Sequence, residues 1–269
     1  MQSSRPGPVL LILAMAVALF LLMPLIAVVP VSFTPARFLS MPSDTLSLRH
    51  YQALIDNPAW AHSILLSLRI GILSSFIATL LATLFGLGIW MYQPRFSALL
   101  IGFVLLPLIV PPVVSAMTLY FLMTTLSAFN DWIGYDTWIG VALAHAVMIT
   151  PFAVVLILVA LYQVDRRIDL AARGLGAGLA TRAFKVIVPN IKFGIATAAL
   201  LSFVLSWEEI GVTLFITSVN AITLPRLMWM GLRDNIDPAI AAISVLLIIV
   251  TAIILALGMI VGKRRRDVH

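Results

Sequence analysis

Residues 137–162 read TWIGVALAHAVMITPFAVVLILVALY, a stretch without a single Asp, Glu, Lys or Arg. A helix that crosses the hydrocarbon core of a bilayer, roughly 30 Å thick, needs about 20 apolar residues in succession. The whole chain has the same character, because 62% of its 269 residues are hydrophobic and 10% are charged. So few charged side chains could not cover a globule in water. The sequence therefore predicts an all-α integral membrane protein.

Six stretches are long and apolar enough to form membrane spans, and we expect residues 1–269 to be one transmembrane domain. The first is too long for the apolar core of a signal peptide, so residues 8–33 are expected to remain as an anchoring span. Prolines predict a kink or a break in the third span, at Pro107, Pro111 and Pro112. The six spans are Val9–Phe33, His62–Trp90, Ala98–Met123, Thr137–Tyr162, Phe193–Thr217 and Ala239–Gly262.

The basic residues predict the orientation of these spans. With the N-terminus inside, twelve of the seventeen Lys and Arg residues fall on the inner side, whereas the outer loops hold four Arg and six Asp. Because cytoplasmic loops are enriched in Lys and Arg, both termini are predicted to be cytoplasmic. The run Lys263–Arg266 follows the last span directly, so we interpret it as a stop at the lipid headgroups rather than a nucleic-acid-binding arm.

The inner segment 163–192 differs from the other loops. It is too polar to span a membrane, yet it is rich in alanine and leucine, which favour helices. Glycines interrupt it at positions 174, 176 and 178, and Pro189 lies near its end. We therefore predict two short helices joined by a glycine turn at the cytoplasmic surface.

This segment carries a recognisable spacing, Asp169-Leu-Ala-Ala-Arg-Gly-Leu-Gly176 followed after nine residues by Val186-Ile-Val-Pro189. It resembles the coupling motif of bacterial ABC importer permeases, E-A-A, three residues, G, nine residues, I-x-L-P. The resemblance implies that a cytoplasmic ATPase contacts this segment. The residues that it assigns to ATPase coupling are Asp169, Ala171, Ala172, Arg173, Gly176 and Pro189.

The motif departs from the family pattern at Leu170, which stands where the family has glutamate. One interpretation is that the position tolerates change. The other is that Asp169, one residue earlier, replaces the missing carboxylate in a contact to an arginine of the partner.

A second resemblance indicates the branch of ABC importer permeases to which the chain is most similar. Ser206-Trp-Glu-Glu-Ile-Gly-Val-Thr-Leu-Phe215, Thr223-Leu-Pro-Arg-Leu-Met-Trp229 and Ile236-Asp-Pro-Ala-Ile240 are similar to the final part of polyamine permease subunits, and the likeness covers residues 60–260. It implies half of the translocation path for a small cation such as spermidine or putrescine. Related permease branches with a similar architecture transport opines, phosphonates, thiamine or iron.

Two glutamates lie inside the fifth span, where an uncompensated charge costs at least about 2.5–3.5 kcal/mol. We predict that either Glu208 or Glu209 faces the solute path and that the other is held structurally. Both could face one point only if the helix were unwound, because adjacent side chains diverge by about 100°. Trp207 and Thr213 are assigned to the same path.

Arg69 lies in the second span at a depth similar to that of the glutamates, so a structural ion pair is predicted. The alternative to the path hypothesis is a purely structural arginine–glutamate pair with the second glutamate protonated. His62 and His145 are single histidines, and we interpret them as interfacial or buried residues rather than metal ligands.

The chain contains neither cysteine nor a phosphate-binding loop of the form G-x-x-x-x-G-K-[ST], so we predict no ATP hydrolysis by this subunit. The resemblance implies an ATPase dimer that binds ATP and Mg, a second permease subunit, an external binding protein and an inner-membrane location. A secondary transporter and an intramembrane enzyme are the competing hypotheses, and neither explains the coupling motif.

Overall fold

The structure, a computed structural model, describes residues 7–42, 45–234 and 237–266, without the side chains of residues 234 and 254–266. The described chain is helical and contains no strand, which confirms the all-α prediction for those residues. The helices are α1 (Pro8–Val31), α2 (Arg49–Asp56), α3 (Pro58–Tyr92), α4 (Ser97–Ile109), α5 (Pro112–Ser127), α6 (Trp138–Tyr162), α7 (Arg166–Gly174), a π-helix (Thr181–Ile187), α8 (Val188–Asn190), α9 (Lys192–Glu208), α10 (Gly211–Ile216), α11 (Leu224–Asp234) and α12 (Ala239–Arg266).

Three helices are long and apolar enough to cross a membrane: α1, α3 and α6. They coincide with the first, second and fourth predicted spans to within four residues at each end. Counting each sharply bent helix pair as one span raises the number to five among the described residues. Helix α12 begins at Ala239, as predicted for the last span, and its apolar described part reaches Ile253. The number of six spans stays a prediction.

The third predicted span is broken at its prolines, as expected. Helices α4 and α5 meet at 100°, and Val110 and Pro111 between them adopt extended backbone angles. Pro112 then begins α5. At 1.5 Å per residue the 13 residues of α4 and the 16 of α5 are roughly 20 Å and 24 Å long, shorter than a bilayer core. Neither helix spans the membrane alone.

The chain forms two compact units, residues 62–227 and residues 1–61 with 228–269. The first unit has two apolar cores along α6. One core joins the ends of α3 and α6 to the π-helix and the start of α9 around Ile157, Leu161 and Ile187. The other joins α3, α5, α6 and α10 around Ile70 and Ile216. The two breaks and the inner segment are therefore held against the same central helix.

The second unit folds the predicted excursion 34–61 against the end of α1. The Ser32 and Tyr51 hydroxyls are 2.8 Å apart, and a ring nitrogen of His50 lies 3.0 Å from the carbonyl oxygen of Ala36. Helix α1 contacts α12 but has no buried residue. Its apolar side chains are available to lipid or to another subunit.

Candidate functional site

The two glutamates of the fifth predicted span lie at an interruption of the helix. Helix α9 ends at Glu208, and α10 begins at Gly211. Between them Glu209 has extended backbone angles, with φ −70° and ψ 113°. The unwinding that would free the two carboxylates from the fixed angle between helical neighbours is therefore present.

The two carboxylates have different surroundings. Glu209 is half-buried, and its Oε1 accepts a hydrogen bond of 2.9 Å from the backbone N–H of Val212, in the first turn of α10. This bond satisfies a donor that the helix leaves unpaired. Glu208 is exposed. Glu209 thus contributes to local structure, whereas Glu208 is available to a ligand.

The other two predicted path residues also differ in access. Trp207 is half-buried, and its ring stacks on Phe203 with 6.1 Å between centroids. Thr213 is completely buried, and its hydroxyl donates to the carbonyl oxygen of Glu209 at 2.9 Å. Thr213 is therefore a supporting residue in this conformation and is not accessible to a solute.

The predicted ion pair of Arg69 is absent. Arg69 is exposed, and neither Glu208 nor Glu209 lies within ion-pair distance of it in the described chain. The depth comparison assumed a continuous helix through the glutamates. The helix is interrupted after Glu208, so that assumption does not hold. The Glu209 carboxylate accepts a hydrogen bond from the backbone N–H of Val212 instead of pairing with Arg69.

Four buried side chains form a hydrogen-bonded chain beside the interruption. The ring of His145 on α6 is 1% exposed. Its Nδ1 lies 2.9 Å from Ser206 Oγ on α9, and its Nε2 lies 2.9 Å from Thr213 Oγ1 on α10. Ser74 Oγ on α3 donates to Ser206 Oγ at 2.7 Å. One imidazole therefore connects the helices on both sides of the interruption.

A second buried carboxylate organises the loop after α10. Asp136 is 8% exposed and has a positive φ of 56°, a conformation that aspartate tolerates better than most residues. Its two oxygens accept hydrogen bonds from the backbone N–H groups of residues 218–221, at 2.7–3.1 Å. Burial raises the pKa of Asp136, but these four backbone donors outweigh it and hold the pKa below the ordinary value.

The inner segment has the predicted pair of short helices, α7 and the π-helix, and one carboxylate joins them. Asp169 is 5% exposed and receives bidentate hydrogen bonds of 2.7 and 2.9 Å from Arg182. Arg173 lies 2.9 Å from the same carboxylate. The Arg182 hydrogen bonds lower the pKa of Asp169; burial opposes them, and the charges of both arginines add to the lowering. Asp169 is thus engaged by two arginines of its own segment, and its contact to a partner arginine stays a prediction.

Gly176 terminates α7. It has φ +77°, and its N–H donates to the carbonyl of Arg173 while the next N–H, of Ala177, donates to Ala172. This pattern is the Schellman motif, in which the left-handed residue is usually glycine. Ala172 is buried beneath the turn, whereas Ala171 and Pro189 are exposed.

Four large apolar side chains of the inner segment are exposed, and we call this set the 170–184 face. It consists of Leu170, Leu175, Leu179 and Phe184, with exposed fractions from 46% to 89%.

Comparison with known proteins places the chain. The family described as "Binding-protein-dependent transport system inner membrane component" matches residues 82–267. The chain belongs to this family. It is a permease subunit of an ABC importer and an inner-membrane component, and its likeness to the polyamine branch is confirmed by the relatives below.

The relatives of this permease include transport proteins of different named solutes. It is 27% identical to the putrescine transport system permease protein PotI of Escherichia coli K12, over 85% of this chain and 82% of that protein. It is 24% identical to the spermidine/putrescine permease protein PotC of the same strain, over 92% and 91%. A probable molybdenum ABC transporter permease protein of Haloferax volcanii is 34% identical over 70% and 73%.

A solved structure shares the fold. The permease resembles a chain of a bacterial ABC transporter involved in import of the acidic polysaccharide alginate, with a TM-score of 0.67 and 13% identity. The match covers 97% of this chain and 99% of that chain. The full-length match supports the helical fold of the permease.

Two side chains of the permease, His145 and Asp136, have hydrogen-bond partners that the sequence does not predict. His145 was predicted to be a buried or interfacial histidine, and it is buried, but its connection of α9 to α10 was missed. Its presence in an otherwise uncharged apolar stretch was the available signal, because ionisable residues in membrane spans usually have a specific partner. Asp136 was counted only as an outer charge, and nothing in its sequence context indicated the loop 218–221.

Asp136→Asn should destabilise the permease. Asparagine removes the negative charge and one acceptor oxygen from the backbone donors of residues 218–221, so we expect a loss of about 1–3 kcal/mol in the free energy of unfolding. The measurement is thermal unfolding of the purified protein in detergent. Asp131→Asn, at an exposed carboxylate of the same loop, is the matched control and should leave the unfolding temperature unchanged.

The same carboxylate predicts a pH effect. Because its folded pKa lies below the ordinary value of 3.8, its contribution to stability is present above pH 3.8 and is lost as pH falls through the lowered pKa. The stability difference between wild type and Asp136→Asn should therefore be constant near neutral pH and shrink in strong acid. An equal difference at all pH values would contradict the role of the charge.

Proposed function

We propose that this permease subunit forms half of the translocation path for a small cationic solute such as a polyamine. The observation that carries the proposal is the exposed Glu208 carboxylate at an interruption of an apolar helix, next to a Glu209 that is already hydrogen bonded. A charge within a membrane span normally faces a cavity or a partner. A cation passing along the path would supply that partner.

The charge of Glu208 also favours a cation over an oxyanion. A carboxylate attracts an ammonium group, as found in putrescine and spermidine, and repels an oxyanion such as molybdate. The relatives named for putrescine and spermidine support the cation, and the relative named for molybdenum defines the alternative. Trp207, half-buried beside Glu208, offers an aromatic face for a cation–π contact when it leaves Phe203.

We further propose the arrangement of the assembled importer. This chain would have six spans with both termini in the cytoplasm and would pair with a second permease subunit. An external binding protein would deliver the solute, and an ATPase dimer would bind ATP and Mg. No ATP hydrolysis is assigned to this chain. The 170–184 face supports an ATPase contact, because it exposes leucine and phenylalanine on the segment that carries the coupling motif.

The rigidity of α7 and the π-helix supports a mechanical role. The bidentate Arg182–Asp169 bond and the Gly176 turn fix the two short helices relative to each other. A movement of the ATPase would then displace the segment as a unit, together with α9, which follows it after α8. Such rigid displacement of packed elements is a common way to switch between two conformations.

Competition of uptake tests the solute class. Uptake of labelled putrescine is measured in cells that express the complete importer, with excess unlabelled competitor. Unlabelled spermidine is expected to reduce the uptake of putrescine, whereas the competitors that are not polyamines are expected to leave it unchanged. Inhibition by molybdate together with transport of molybdate would overturn the cationic assignment. The competitors are spermidine, an opine, a phosphonate, thiamine, iron and molybdate.

A further inference from the structure

The hydrogen-bonded chain of Ser74, Ser206, His145 and Thr213 has a self-consistent arrangement of protons. Ser74 donates to Ser206, and Thr213 donates to the carbonyl oxygen of Glu209. Since the single hydroxyl proton of Thr213 is used there, His145 Nε2 must donate to Thr213 Oγ1. In a neutral imidazole Nδ1 is then the acceptor, and the Ser206 hydroxyl donates to it. In this arrangement Ser206, His145 and Thr213 each donate once, whereas the Ser74 hydroxyl also has the Ile70 carbonyl oxygen within 2.7 Å.

This chain ends at the helix interruption itself. Ser206 lies two residues before Glu208, Thr213 lies four residues after Glu209, and the final acceptor is the Glu209 carbonyl. His145 contacts both flanking helices from α6, a helix of the central core. Buried hydrogen bonds gain strength in a low-dielectric interior and fix a single geometry when every member is satisfied.

We infer that His145 is a positioning residue for solute recognition: its imidazole holds α9 and α10 on either side of the interruption, so that Glu208 stays directed out of the helix pair. The inference rests on the proposed function, in which Glu208 meets the solute. His145 itself is 1% exposed and contacts no solute. Its effect on transport passes through the geometry of residues 207–210.

The test uses the complete importer and measures uptake as a function of solute concentration, with putrescine as the probe. His145→Leu fills the position with an apolar side chain of moderate size and removes the hydrogen bonds to Ser206 and Thr213. We expect the half-saturating putrescine concentration to rise about tenfold, which is equivalent to about 1.4 kcal/mol. The maximal rate per assembled importer should fall less. Ser75→Ala is the matched control, because its hydroxyl is buried on α3 but bonds only the Ile72 carbonyl.

A more conservative pair keeps the test decisive if His145→Leu does not assemble. Thr213→Val has the shape of threonine but no hydroxyl, whereas Thr213→Ser keeps the hydroxyl and loses a methyl group. The half-saturating concentration should be higher for Thr213→Val than for Thr213→Ser. The reverse order, or equality, would overturn the inference, because only the hydroxyl connects His145 to Glu209.

Combining His145→Leu with Glu208→Gln separates this inference from the proposed function. If His145 acts through Glu208, its substitution should change the half-saturating concentration less than twofold in the Glu208→Gln background, a departure from additivity typical of coupled residues. An undiminished effect in that background would reject the positioning role while leaving the path proposal intact. Normal transport by Glu208→Gln alone would instead reject the proposed contact between Glu208 and the solute.

Discussion

Glu208→Gln is expected to reduce putrescine uptake about tenfold or more at low solute concentration. The substitution keeps the size of the side chain and removes the charge that we assign to recognition of the ammonium group. Losing one charge-assisted hydrogen bond costs about 1.5–3 kcal/mol, and 1.4 kcal/mol corresponds to a factor of ten. Initial uptake rates in cells that express the complete importer measure this effect, normalised to the amount of permease in the membrane.

Glu209→Gln is the matched control for that result. Glutamine retains a side-chain oxygen that can accept the hydrogen bond from Val212 N–H, so the start of α10 should be preserved. We expect its uptake to stay within about threefold of wild type, since a neutral acceptor forms a weaker bond than a carboxylate. Normal transport by both variants would eliminate the path hypothesis. A larger loss in Glu209→Gln than in Glu208→Gln would reverse the roles of the two residues.

Gly176→Val should uncouple ATP hydrolysis from transport. A residue with a Cβ atom pays about 1–2 kcal/mol for the left-handed conformation, and valine is branched at that atom. The turn would relax to another conformation and displace the part of the 170–184 face on the π-helix relative to the part on α7. We expect uptake to fall about tenfold while ATP hydrolysis by the assembled importer continues. Both rates are measured on the same purified preparation.

The neighbouring glycine provides the control. Gly178 lies in the same exposed turn, has no positive φ, and has open space around the position of a Cβ atom. Gly178→Val should therefore keep uptake and ATP hydrolysis proportional to each other. Equal behaviour of the two variants would show that the left-handed turn at Gly176 has no special part in coupling.

The long apolar helices could be predicted well because their signal is local. Helices α3 and α6 cover the predicted spans almost residue for residue, and the break between α4 and α5 follows from the backbone restrictions of proline. Hydropathy and the backbone restrictions of proline are properties of a single segment and do not depend on distant residues. A single sequence is sufficient to reveal them.

The partners of the polar side chains could not be predicted in the same way. His145 bonds residues that are 61 and 68 positions away, and Asp136 bonds residues more than 80 positions away. Arg69 was paired with the glutamates by depth alone, and the interruption after Glu208 removed the basis for that estimate. Asp169 found Arg182 across the glycine turn, a contact that depends on the path of the turn. Such pairings are set by tertiary packing.

Putrescine accumulation in proteoliposomes that contain the complete importer, with its ATPase, second permease and binding protein, directly tests ATP-driven import of a cation by this permease. We predict accumulation against a gradient that requires ATP with Mg and is about tenfold slower with Glu208→Gln. Accumulation without ATP would contradict an ABC importer and favour a secondary transporter. ATP-dependent accumulation of molybdate in place of putrescine would contradict the cationic path through Glu208.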